Sequence, residues 1–217
     1  MIKGVIFDVD GLLVDSRDIH FAAFKVLCGR HGYRGTDEQL LPLFGKGNEE
    51  IIPELLPADY IEKHGMDALS DEKEVVYREI FADKIEPAPG LVAFLHDLRS
   101  HCIKCAVGSS GPTANVNFVL EKCGIADQFD ARANGDMVTR AKPDPEVFVL
   151  AGKLLGLDPA ECVVVEDSFA GIEAARGAGM KVIGMATTFP RAAFDSADID
   201  MLLSSFAELN YDKIKDT

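Results

Sequence analysis

The sequence lacks an excess of cations, any long uncharged run and an even set of cysteines, and each absence closes off a class of function. Lys and Arg number 22 against 36 Asp and Glu, a formal charge of −14. Non-specific nucleic-acid binding needs cations to replace the counterions around phosphates, so no nucleic-acid partner is expected. An anionic ligand must instead be held by local positive charge. No stretch approaches membrane-spanning length, and Asp8 stands where a secretory signal would need its apolar core. A cytoplasmic, monomeric protein with no membrane partner is expected. The five cysteines, Cys28, Cys102, Cys105, Cys123 and Cys162, are odd in number and scattered through a chain large enough to fold without staples, so they read as reduced thiols. Cys102 and Cys105 form a lone C-x-x-C without the second pair a structural zinc needs. Cys105 opens the apolar run Cys105-Ala106-Val107, so a buried strand position is a simpler account than a redox or metal pair.

What is present is the ordinary mix of a globular protein, 47% apolar and 27% charged, in 217 residues. Four short apolar runs rich in β-branched residues read as buried parallel strands: Val5 to Phe7, Cys105 to Val107, Cys162 to Val165 and Lys181 to Met185. Helical patterns alternate with the later ones, over Leu91 to Arg99, Asn115 to Cys123, Glu146 to Leu155 and Phe169 to Ala178. Alternation of this kind gives a parallel α/β sheet. Asp144-Pro145 reads as a cap followed by proline at the first helical position, and Gly124, Gly156 and Gly179 sit where helices should stop. Between Asp15 and Ala88 the β-branched runs disappear, and helix-like patterns such as Asp18 to Cys28 and Asp71 to Ala82 replace them. The stiff junction Pro87-Ala88-Pro89-Gly90 closes that stretch. The expected organisation is an α/β core over 1–14 and 89–217, interrupted by a helical cap domain over 15–88.

In open parallel sheets ligands bind beyond the carboxyl ends of the strands, so the residues just past each strand carry the chemistry. The first strand delivers Asp8 and Asp10, the second Ser109 and Ser110, and a third Glu166 and Asp167; Lys142 adds a cation from a loop before a helix. If the Asp8 and Asp167 strands are neighbours, about 4.8 Å apart, their carboxylates can converge on one ion. Two such charges about 4 Å apart repel by roughly 4 kcal/mol at an effective dielectric of 20. A divalent metal is therefore expected. Magnesium suits a site of one or two carboxylates that leaves positions for water and phosphate. A phosphate-shaped ligand would use the carboxylates, hydroxyls and lysine together.

Asp8-Val9-Asp10-Gly11, Ser109, Lys142-Pro143 and Glu166-Asp167 resemble the four motifs of the haloacid dehalogenase superfamily. The run Val165-Glu166-Asp167-Ser168-Phe169-Ala170-Gly171-Ile172 is similar to the subgroup containing beta-phosphoglucomutase and sugar-phosphate phosphatases, which insert a helical cap in a Rossmann-like core. The resemblance implies that Asp8 attacks phosphorus and that Asp10 protonates the leaving oxygen, then activates water. Ser109 would hydrogen-bond the phosphoryl group and Lys142 would offset its charge. Asp8, Asp10 through its backbone carbonyl, Asp167 and Glu166 would surround magnesium. Gly11 would let backbone N–H groups pack around the phosphate. Ser110, His20, Lys46 and Asn48 complete the expected substrate contacts.

A mutase must seat a second phosphate, whereas a phosphatase need only admit water. In the segment Gly45-Lys46-Gly47-Asn48-Glu49-Glu50, Asn48 stands where the mutases carry arginine, with Lys46 displaced beside it. After Ser109 and Ser110 the chain runs Gly111-Pro112-Thr113, where the mutase pattern has groups that grip a phosphorylated sugar. These departures favour a magnesium-dependent phosphatase of a small phosphorylated metabolite, a sugar phosphate, acting through an aspartyl phosphate. A beta-phosphoglucomutase is the alternative, and a catalytically silent phosphometabolite-binding module the third reading.

Overall fold

A computed structural model describes residues 1–43, 46–215 and 217. The chain divides into two compact units, Met1–Asp15 with Glu86–Thr217, and Ser16–Ile85.

The first unit is built on six parallel strands: β1 Gly4–Phe7, β2 Lys104–Gly108, β3 Ala131–Ala133, β4 Cys162–Glu166, β5 Lys181–Met185 and β6 Met201–Leu203. Their order across the sheet is β3-β2-β1-β4-β5-β6. The central strands are apolar on both faces because helices cover both, and Val163, Val164 and Val165 are fully buried. The helices of this unit are Leu91–Ser100, Thr113–Lys122, Glu146–Leu155, Phe169–Gly177 and Tyr211–Lys215. Helix Glu146–Leu155 contributes Val147, Phe148, Ala151 and Leu155 to one core cluster with Ile6, Ala106 and Val164. On the other side Phe7 packs edge-on against Phe129, ring centroids 5.7 Å apart. Each fully buried side chain of this size contributes roughly 1.5–3 kcal/mol of transfer free energy.

The chain builds outward from β1 in one direction and then returns to build β4, β5 and β6 in the other, so the order reverses between β1 and β4. That crevice is where open sheets of this kind bind ligands. Register fixes what emerges there: Phe7 pairs with Val107 on one side and Val165 on the other. Asp8 donates its N–H to the Val165 carbonyl at 3.1 Å, so the nucleophile candidate leaves the sheet beside Glu166.

All four expected strands form, and the edge strands β3 and β6 are additions. Each is only three residues long, too short for a pattern. Helix Glu146–Leu155 begins one residue after Pro145, which is the N-cap rather than the first helical residue. The Asp144 carboxylate still caps it, accepting from Glu146 N–H at 3.0 Å.

The second unit is helical throughout: Arg17–Arg30, Asp37–Leu40, Asn48–Leu55, Ala58–His64 and Met66–Phe81. It has its own core, in which Phe24 and Leu27 pack with Leu40, Ile52, Leu55 and Leu69. Among the described residues no helix is long and apolar enough to cross a membrane.

Candidate active site

Loops at the carboxyl ends of β1 to β5 meet at the crevice, Lys142 coming from the loop after β3, and buried charge dominates what they form. Lys142 Nζ bridges two carboxylates, 2.5 Å from Asp8 Oδ1 and 2.8 Å from Glu166 Oε1. Glu166 is fully buried and its second oxygen is also committed. Oε2 accepts from the N–H groups of Asp167 and Ser168, both at 2.8 Å, and from the Ser168 hydroxyl at 3.0 Å. Ser168 also caps helix Phe169–Gly177 by accepting from Gly171 N–H. Glu166 thereby anchors Lys142 and the helix start at once.

Asp167 is equally buried but differently served. Among the described residues no Lys, Arg or His pairs with it, and its one protein donor is the Thr188 hydroxyl, on Oδ2. Asp8, Glu166 and Asp167 each bring a carboxylate oxygen within 4.8 Å of the others. Burial, opposed by Lys142 and reinforced by the charge of Glu166, pushes the Asp8 carboxyl up to about 7. Burial foremost, then the charges of Glu166 and Asp8, pushes Asp167 well above the usual carboxylate range. Burial works to lower the Lys142 ammonium, yet Asp8 and Glu166 outweigh it and hold it above the usual lysine range. One cation among three buried carboxylates leaves the cluster short of positive charge. A hard divalent cation with oxygen ligands fits that deficit, and fits it at Asp167 above all.

Asp10 and Ser109 complete the rim. Ser109 is buried and its Oγ accepts from Gly111 N–H at 3.0 Å. A Cβ added at Gly111 would stand 3.3 Å from Ser109 Oγ and 3.7 Å from Asp10 Oδ2, so this turn lies close to both side chains. Ser110 is exposed. Gly11 has φ +80, and a Cβ there would run into the Asp167 carboxylate and the Thr188 hydroxyl. The turn after β1 thus approaches the metal-binding candidates as closely as backbone can.

The remaining expected contacts lie in the helical unit. His20 Nδ1 is 2.8 Å from Lys73 Nζ, and its ring stacks on Tyr77 at 4.2 Å between centroids. Lys73 and the Asn48 amide both donate to Glu74 Oε1 at 2.8 Å. Lys46 does not join that cluster: it is exposed and pairs with Glu50 at 3.4 Å. Gly45 of the same segment lies outside the described residues.

Four residues of these two clusters escape the sequence reading. Thr187 and Thr188 follow β5 after Ala186, and collecting the residues just past that strand as at the other strands would find them. Thr187 Oγ1 donates to the Gly11 carbonyl at 2.7 Å. Lys73 and Glu74 look like any charged pair on a helix, and nothing in the sequence marks them as buried. Cys105 is a buried strand residue whose thiol burial pushes up to about 12, which keeps it protonated and unreactive, while Cys102 is exposed.

Known proteins resemble this chain over most of its length. The model of a family described as haloacid dehalogenase-like hydrolase matches residues 5–185. Fructose-1-phosphate phosphatase YqaB of Escherichia coli (strain K12) is 34% identical over 185 residues, 83% of this chain and 94% of that protein. Suppressor of quenching 1, a chloroplastic protein of Arabidopsis thaliana, is 28% identical over 98% of this chain, which spans only 20% of that protein's length. Among solved structures, CbbY from Rhodobacter sphaeroides in complex with phosphate superposes with a TM-score of 0.85, at 28% identity, covering 96% of each chain.

Proposed function

The chain belongs to the haloacid dehalogenase-like hydrolases, and from that premise we propose a magnesium-dependent phosphatase of a small phosphorylated metabolite, of the sugar-phosphate class, acting through Asp8. The reaction class is phosphoric monoester hydrolysis. The observation that carries the reading is the Asp8–Lys142–Glu166 bridge beside Asp167, which is buried without a cation partner among the described residues.

Asp8 attacks phosphorus, and the leaving alcohol takes a proton from Asp10 as the P–O bond breaks. Asp10 then takes a proton from water, whose oxygen attacks the phosphorus of the Asp8 ester and frees inorganic phosphate. Ser109 donates to the phosphoryl oxygens, and Lys142, already at Asp8, offsets their charge. Asp8, the Asp10 carbonyl and Asp167 would hold magnesium, with Glu166 fixing Lys142 alongside; the ion would supply further positive charge at the phosphoryl oxygens.

We assign the choice of leaving group to the helical unit. Within it the Asn48 amide is committed to Glu74. An acidic pair partner at the place where mutases carry arginine disfavours a second phosphate and supports hydrolysis over mutation. A cytoplasmic location suits the five free thiols. A phosphate-release screen across many esters, with the Asp8→Asn protein as blank, tests the reading. Release from sugar phosphates is expected, and formation of glucose 6-phosphate from glucose 1-phosphate without free phosphate would contradict it.

A further inference from the structure

The loop after β5 belongs to none of the motifs that carry the catalytic assignment, yet it reaches two of them at once. Thr187 Oγ1 donates to the Gly11 carbonyl at 2.7 Å, and the Thr188 hydroxyl donates to Asp167 Oδ2. Gly11 makes this closeness possible, since a Cβ there would meet both the Asp167 carboxylate and Thr188 Oγ1. Asp167 has no other protein donor among the described residues, so a single hydroxyl sets the rotation of a carboxylate that is 2% exposed.

We infer that Thr188 is a positioning residue for the metal site: its hydroxyl occupies one oxygen of Asp167 and turns the other toward the ion. The inference rests on the reading of Asp167 as a magnesium ligand. It follows from the chemistry of such ligands, whose orientation is held by hydrogen bonds from outside the coordination sphere. Thr188 is only half-buried, so its substitution leaves the core untouched.

The two halves of the threonine side chain separate a positioning role from packing. Thr188→Val keeps the volume and loses the hydroxyl; Thr188→Ser keeps the hydroxyl and loses the methyl. Calorimetric titration of the whole protein with magnesium, without substrate, reads the difference. Thr188→Val should weaken binding by about tenfold to a hundredfold, and Thr188→Ser should stay close to wild type. Turnover of the valine variant should recover as magnesium is raised. Wild-type binding in Thr188→Val, or equal losses in both variants, overturns the inference. If Thr188→Val does not fold, Thr188→Ala against Thr188→Ser makes the same comparison. Failure of the underlying reading looks different: wild type would show no saturable magnesium site, or Asp167→Asn would bind as tightly as wild type, and the inference would fall with it.

Discussion

Lys142 and Asp8 form an ion pair at 2.5 Å whose side chains are 6% and 11% exposed, although 134 positions separate them in the chain. Among the described residues Lys142 is the one cation of the carboxylate cluster, and it sits on the residue proposed to attack phosphorus. Lys142→Met should reduce turnover by about 10²–10³, the usual loss of one preorganised donor. It should also destabilise by about 3–5 kcal/mol, because Asp8 and Glu166 are left buried and unpaired. Urea unfolding checks the second effect, and adding Asp8→Asn should recover part of it. A variant as stable as wild type would show that the bridge carries little of the buried charge.

Gly11 and Gly32 both have φ +80, but only Gly11 faces the site; a Cβ at Gly32 meets nothing within 4 Å. Alanine at either position should cost about 1–2 kcal/mol for the left-handed backbone. Gly11→Ala should in addition lose most of its activity by displacing Asp167 and Thr188, while Gly32→Ala keeps its kcat. Matching kinetics in the two variants would count against close approach as the reason for glycine at position 11.

In the helical unit, Glu74 supplies an acid-sensitive part of the stability. Burial acts to raise its carboxyl, and Lys73, His20 and the hydrogen bonds from Lys73 and Asn48 outweigh burial and hold it below the usual 4.5. A depressed folded-state pKa means the contribution is complete above that value and fades as pH falls through the lower folded value. Melting temperatures of wild type and Glu74→Gln should differ by a constant amount near neutrality and converge below pH 4.5. Parallel curves down to low pH would remove Glu74 from the account.

Asn48 and Lys46 differ in what they touch, and their variants should differ accordingly. Asn48→Ala frees Glu74 Oε1 of one donor and should change the ranking of substrates more than the best turnover. Lys46→Ala breaks only an exposed pair, worth about 0–1 kcal/mol, and should shift substrate preference less. Profiling both against a panel of phosphate esters reads this, and equal losses on every ester would contradict a role in selection.

The central sheet and the carboxylate cluster were legible because they obey the simplest rules: β-branched runs buried on both faces, with polar residues at their carboxyl ends. Asp8, Asp10, Ser109, Glu166 and Asp167 all follow such runs. The edge strands β3 and β6 escaped because three residues carry no period. The helices Asp37–Leu40, Asn48–Leu55 and Ala58–His64 escaped because they span about one or two turns, the second with Pro53 inside. Lys73 and Glu74 were hidden for a different reason: a buried ion pair on a helix has the sequence of a solvated one, and only the packing of Lys73 over Phe24 and the bond from Asn48 to Glu74 distinguish them.

The phosphate ester on Asp8 is the central claim, and Asp10→Asn offers the most direct test of it. An aryl phosphate has a leaving group that needs no proton, so this variant should still phosphorylate Asp8 yet fail to activate the water that would free it. Acid quenching after one turnover with magnesium present, followed by peptide mass spectrometry, should find one phosphoryl group on Asp8. The group should be absent when magnesium is chelated and absent from the Asp8→Asn, Asp10→Asn double variant. Release of the aryl alcohol with the phosphoryl group on another residue, or with inorganic phosphate released at the wild-type rate and Asp8 unmodified, would contradict the account.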